Sequence, residues 1–188
     1  CLLSLGRFDE SATAYEEFIG RAELLGDERD VAIGKLQLGT VRKNQRRYPE
    51  ALSAYAEARK RFTELDEPGT VAVIWHQTGM VHQNAGQPDA AEDAYRNSLA
   101  IKVRLGDVGG QASTLSQLGI LYDIGFGRLE ETANLFRQAA DNYVDIRDVA
   151  KEGVVRNNLA KALHKLMAYK DEYEVARLYS NGDFIRQL

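Results

Sequence analysis

Four columns of residues recur along this chain at a step of about 40. Gly39, Gly79 and Gly119 keep that spacing, and Ala160 follows after 41. Tyr15, Tyr55, Tyr95 and Phe136 keep it too, as do Phe8, Tyr48, Pro88 and Leu129, and Asp27, Asp66, Asp107 and Asp148. A chain with a fixed period of this length repeats one supersecondary unit, and each unit buries its apolar face against the next. The single extra residue of the third full unit falls at Gly125-Phe126-Gly127. That tripeptide reads as a turn, where an insertion is tolerated.

Each unit reads as two helices. In the second full unit Val71, Trp75, Thr78, Gly79 and His82 share one face at helical spacing. Asn84-Ala85-Gly86-Gln87 breaks that helix, and Pro88 suits the first turn of the next, where its missing N–H costs little. Ala91, Tyr95, Ser98 and Leu99 form the inner face of the second helix, and Leu105-Gly106-Asp107 ends it. A glycine inside a helix costs about 1 kcal/mol against alanine. Its return in register therefore points to packing: two antiparallel helices cross closely where one side chain is nearly absent. The aromatic column is expected to fill the space between neighbouring pairs.

Leu38-Gly39, Ala51, Tyr55 and Ala58, then Trp75, Gly79, Ala91 and Tyr95, then Leu118-Gly119, Tyr122, Phe136 and Ala139 together resemble the tetratricopeptide repeat. The units are about six residues longer than the 34-residue consensus. They look like the long-repeat class of kinesin-light-chain-like proteins and of sensor arrays in bacterial signalling ATPases. The resemblance implies an all-α fold, a right-handed superhelix of antiparallel helix hairpins. It covers residues 1–166 as about four units, the first truncated, and leaves 167–188 as a divergent C-terminal helix or fused tail.

The same resemblance puts a partner-binding groove on the first helix of each pair. It implies Gln37, Thr40, Lys43 and Asn44 in one unit, and His76, Gln77, Met80, Gln83 and Asn84 in the next. Gln117, Ile120 and Asp123 follow, then Asn157, Asn158 and Lys161. Gln37, Gln77, Gln117 and Asn158 form one amide column. An amide both donates and accepts, so such a ladder can pair with the main chain of an extended peptide; solvated helix surface is the alternative reading. Leu36, Met80, Ile120 and Ile124 add apolar anchors, and methionine adapts to varied partners. His82 and Trp75 read as core.

Composition narrows the chemistry. Lys and Arg number 24 against 28 Asp and Glu, a formal charge of −4, which argues against a general nucleic-acid binder. The one cysteine, Cys1, excludes a disulfide framework and cysteine-ligated metal centres. No His-x-x-x-His pair, Gly-x-x-x-x-Gly-Lys loop or nucleophile–base–orienter set is present, so neither a metal nor another cofactor nor intrinsic catalysis is expected. No apolar run is long enough to span a membrane. The chain reads as a cytoplasmic, bacterial protein-interaction module for a protein or peptide. Alternatives are a sensor segment of a larger signalling protein and an accessory subunit of a 2-oxoacid oxidoreductase. The last is suggested only by residues 165–188, which resemble a segment of indolepyruvate ferredoxin oxidoreductases. The start, Cys1 rather than Met, reads as a cut through a longer protein. Its apolar Leu2, Leu3 and Leu5 offer a face for pairing with a second copy.

Overall fold

Three of the four aspartates in the column begin helices; Asp66 lies in a turn instead. Asp27 accepts the Asp30 N–H at 2.9 Å, Asp107 that of Gly110 at 2.9 Å, and Asp148 that of Lys151 at 3.1 Å. Each carboxylate takes up an amide left without a partner in the first turn and suits the helix dipole. Proline marks the first turn of three more helices, at Pro49, Pro68 and Pro88. The computed structural model describes residues 7–180, and side chains to residue 173. The expectations for Leu2, Leu3 and Leu5, and for the tail beyond residue 180, lie outside the described residues.

Among the described residues eight α-helices follow in order: α1 Phe8–Leu25, α2 Glu28–Asn44, α3 Tyr48–Glu64, α4 Pro68–Asn84, α5 Pro88–Leu105, α6 Val108–Leu121, α7 Leu129–Asp145 and α8 Val149–Ser180. A π-helical turn, Tyr122–Phe126, prolongs α6. Among the described residues there is no strand, and no helix is long and apolar enough to cross a membrane. The chain divides into two units, residues 1–114 and 115–188.

In the first unit each helix packs on the next from α1 to α5, and α2 also touches α4. The core gathers Ala32 of α2, Ala51, Tyr55, Ala58 and Phe62 of α3, and Val71, Ile74 and Val81 of α4. Trp75 only borders this cluster. It is half-buried, with the Arg59 guanidinium 3.8 Å from its ring centroid. Salt bridges staple helix to helix at the surface, among them Lys35 to Glu57 at 2.7 Å and Arg29 to Glu67 at 2.6 Å. In the second unit α7 packs on α8, burying Ala133, Phe136, Ala139, Ala140, Tyr143, Val155 and Ala162.

The glycine column explains the hairpins. A Cβ added to Gly39 would stand 2.6 Å from the Tyr55 ring, one on Gly79 2.6 Å from Tyr95, and one on Gly119 2.8 Å from Phe136. Each ring lies against the bare backbone of its own hairpin. Tyr55 meets the neighbouring pair as well, as expected of the aromatic column: it shares one core cluster with Val71, Ile74 and Val81 of α4. Tyr55 and Tyr95 are fully buried, so neither ring can retreat cheaply.

The fourth unit departs from the rule. Sixteen residues beyond Ala160 the chain has Ala176 instead of an aromatic, and no turn intervenes: α8 runs unbroken for 32 residues. Ala160 is exposed, whereas Gly39, Gly79 and Gly119 are buried. Lys170 reaches Glu130 at 3.4 Å, while Met167, Tyr169 and Tyr173 stay exposed.

Gly79→Ala is expected to destabilise the chain by about 1–2 kcal/mol in urea unfolding, because overpacking outweighs the gain in helix propensity. Three non-glycine residues hold left-handed backbone at turns: Arg46 (φ 61°), Asp66 (φ 54°) and Arg147 (φ 57°). Glycine fills the matching place at Gly26, Gly86, Gly106 and Gly127. Asp66→Gly relieves that strain and is expected to raise the thermal midpoint, by about 0.5–1 kcal/mol of stability.

Candidate functional site

The face that carries the candidate residues lies on α2 and α4 in the first unit. Gln37, Thr40, Lys43, His76, Gln77, Met80 and Gln83 are half-buried there, while Asn44 and Asn84 are exposed. Several of their polar groups are already engaged. The Lys43 ammonium donates to Gln77 Oε1 at 2.6 Å, linking α2 to α4. The Tyr95 hydroxyl donates to Gln83 Oε1 at 2.8 Å, and the Tyr55 hydroxyl lies 3.2 Å from Thr40 Oγ1. The amide of Gln77 therefore keeps its N–H groups for a partner, but its oxygen is occupied.

His76 is held by several contacts on this face. Its Nδ1 lies 3.2 Å from Thr114 Oγ1, and its ring tilts against Tyr95 at 5.5 Å. Thr114 Oγ1 accepts from the Lys102 ammonium at 2.9 Å and has the Gly110 carbonyl oxygen at 3.0 Å. Burial first, then repulsion from Lys102 and Lys43, pushes the His76 imidazole down to about 4. Burial also lowers both lysines from the ordinary range. His82, read as core, is half-buried instead. Its Nδ1 lies 2.7 Å from Gln87 Oε1 at the end of α4.

The second unit holds a groove of about 630 Å³. Ile120, Ile124, Phe136 and Ala160 form its apolar part, with Asp123, Asn158, Lys161, His164 and Lys165 as the polar part. Asp123 is bound to Lys165 at 2.7 Å, so the positive charge of Lys161 is left over on the rim. Gln117 is half-buried on α6; Asn157 is exposed on α8, and neither lines this groove.

The extra residue of this unit shapes the groove. It is absorbed in the π-helical turn, not in an open turn at Gly125-Phe126-Gly127 as the spacing alone suggests. Phe126 stacks edge-on against Tyr122 at 5.5 Å, and the Arg128 guanidinium lies 4.8 Å from the Phe126 centroid. The turn leaves Ile124 78% exposed at the groove. π-Turns inside helices often mark functional sites. Among the described residues no three His, Cys, Asp or Glu side chains converge as metal ligands would.

The His76 environment sets a pH dependence. The unfolded imidazole binds a proton below about 6.5, the folded one only near 4. Stability is therefore present above pH 6.5 and falls as the pH drops from there towards 4. The loss attributable to His76 approaches about 1 kcal/mol per pH unit, and His76→Leu is expected to flatten that part of a urea-midpoint profile.

The comparisons with known proteins agree with this architecture. Tetratricopeptide repeats match residues 30–102 and 70–145, and a family of unknown function matches residues 130–188. No curated protein matches. Among solved structures, BtubC (BKLC) from P. vanneervenii is similar with a TM-score of 0.76 and 22% identity, over 96% of this chain and 77% of that one. A putative kinesin light chain with nearly identical TPR-like repeats from Podosopora anserina is similar with a TM-score of 0.73 and 12% identity, over 94% and 87% of the two chains. A single-substitution variant of that kind gives a TM-score of 0.74 and 11% identity, over 100% and 92%. At these identities the likeness shows the fold, an all-α solenoid of helix hairpins. With matched repeats spanning more than half of its length, the chain belongs to the tetratricopeptide-repeat family.

Proposed function

We propose that the chain is a non-catalytic interaction module that holds a peptide or an extended segment of a partner protein on the exposed face of its first helices. The observation that supports this most is the groove of the second unit. It sets the exposed Ile124 and the half-buried Ile120 beside amide and cationic groups, Asn158 and Lys161, in a hollow of about 630 Å³. Apolar pockets with a few polar groups at the edge suit an anchored peptide, where main-chain hydrogen bonds add affinity and pockets add selectivity.

In this reading Ile124 and Phe136 receive an apolar anchor, while Asn158 and Gln117 pair with the peptide main chain. In the first unit Gln37, Asn44, the N–H groups of Gln77, and Asn84 do the same, and Met80 adapts to the side chain it meets. Thr40 and Gln83 support the face from within by holding the buried tyrosine hydroxyls. Asp123 contributes by fixing Lys165, not by meeting the partner. Asn157 lies at the margin.

A random-peptide display screen against the 188-residue chain tests the reading. Selected peptides are expected to lose at least tenfold in affinity on Ile124→Asp or Gln77→Ala, and nothing on Lys60→Ala, an exposed site on α3. Selected peptides that ignore the two groove variants, or a screen that yields none, would overturn it.

A further inference from the structure

Lys102 stands where its repeat neighbours carry aromatics. Phe62 and Tyr143 share its register, and both are buried. Lys102 is only 5% exposed. Its ammonium donates to Thr114 Oγ1 at 2.9 Å and to the Gly110 carbonyl oxygen at 3.3 Å, both neutral groups. Thr114 in turn takes the register of Gly34, Ile74 and Val155, and His76 that of Leu36, Ser116 and Asn157. Lys102 and Thr114 are thus polar where these neighbours are not, and Thr114 joins Lys102 to His76. Nothing in the hairpin needs this, since Phe62 and Ile74 build the same layer with hydrocarbon. Burying an ammonium is costly even with Asp107 acting on it, and such departures from a local rule mark functional sites.

The surroundings of His76 are one-sided in charge. From α2 comes Lys43; from α5 come Lys102 and the phenol of Tyr95; from α6 come the Thr114 hydroxyl and, at the helix start, Asp107, which is bonded to the Gly110 amide. From α3 comes Arg59, which lies over the neighbouring Trp75. Asp107 is the one acid in this set, and it acts on Lys102.

We propose that this face of the first unit is a carboxylate site: a glutamate or aspartate side chain of the partner lies against Lys43 and His76, and His76 takes up a proton as it binds. The site rests on the groove reading given above and names the chemistry of its partner. Thr114 makes the proton uptake possible. While the imidazole is neutral, the hydroxyl can donate to Nδ1. When Nδ1 gains a proton it donates to Thr114 Oγ1, whose own hydrogen then turns to the Gly110 carbonyl oxygen 3.0 Å away. Every donor and acceptor stays satisfied in both states. Lys102, one hydroxyl behind His76, supplies a fixed positive charge in a poorly solvated place, where attraction to an anion is strong. Burial first, then the two lysines, hold the free imidazole neutral, and the incoming carboxylate offsets the lysines. Binding and protonation therefore favour each other.

The test uses rhodamine-labelled hexaglutamate and hexaglutamine with the 188-residue chain at constant ionic strength. Hexaglutamate is expected to bind at least tenfold tighter than hexaglutamine. It is also expected to tighten at least fivefold from pH 7.5 to 5.5, against the trend set by its own protonation. Calorimetry in buffers of different ionisation enthalpy is expected to show proton uptake. His76→Asn removes the pH effect and Lys43→Met weakens binding at both pH values. Lys102→Met weakens binding at least fivefold while raising the thermal midpoint, an opposition that a purely structural lysine does not produce. Equal binding of the two probes, or a pH effect that survives His76→Asn, would overturn the site. If display-selected peptides still depend on Ile124 while hexaglutamate fails to bind, the carboxylate site falls and the groove reading stands. If both fail, both fall.

Discussion

The contact between an aromatic ring and a glycine backbone is the constraint on which each complete hairpin depends. Tyr55 on Gly39, Tyr95 on Gly79 and Phe136 on Gly119 leave no room for a methyl group. The glycine lets two helices approach, and the ring fills the volume that the missing side chain leaves. Because the lock lies between the two helices of a hairpin, the outer face of the first helix is released from packing duty. On the proposed reading that face meets the partner. Where the lock is missing, at Ala160, the hairpin does not close and α8 runs on alone.

Much of this was legible in the sequence. A period of about 40, the turn signals and the glycine and aromatic columns define helix pairs and their order. Other features were not. The π-helical turn at Tyr122–Phe126 was hidden because Gly-Phe-Gly carries a strong turn signal, while the extra residue could equally widen a helix. The left-handed Arg46, Asp66 and Arg147 were hidden because glycine is the usual signal for such a helix end, while here backbone hydrogen bonds to the last helical turn hold three exposed non-glycine residues in that conformation. The run of α8 through residue 166 had a signal, the absence of an aromatic sixteen residues beyond Ala160, but that absence does not say whether the helix stops.

The candidate site was legible as a face and not as a network. The resemblance to the tetratricopeptide repeat puts Gln37, Lys43, His76 and Gln77 on the groove side of their helices. It does not say that Lys43 already holds the Gln77 oxygen, or that Thr40 and Gln83 serve buried tyrosines. Lys102 was missed because a lysine near a helix end reads as solvated surface. The signal that finds it is comparative and lies inside the chain: Phe62 and Tyr143 share its register. Repeats supply their own control, and a polar residue in an aromatic column is more informative than the same residue in isolation.

Amide hydrogen exchange on a Tyr95→Ala chain tests the role of the aromatic lock most directly. If the ring on glycine holds the hairpin as a unit, protection is expected to fall together along α4 and α5 and far less in α1. Loss confined to the single turn around Gly79, or an even loss along the whole first unit, would contradict it.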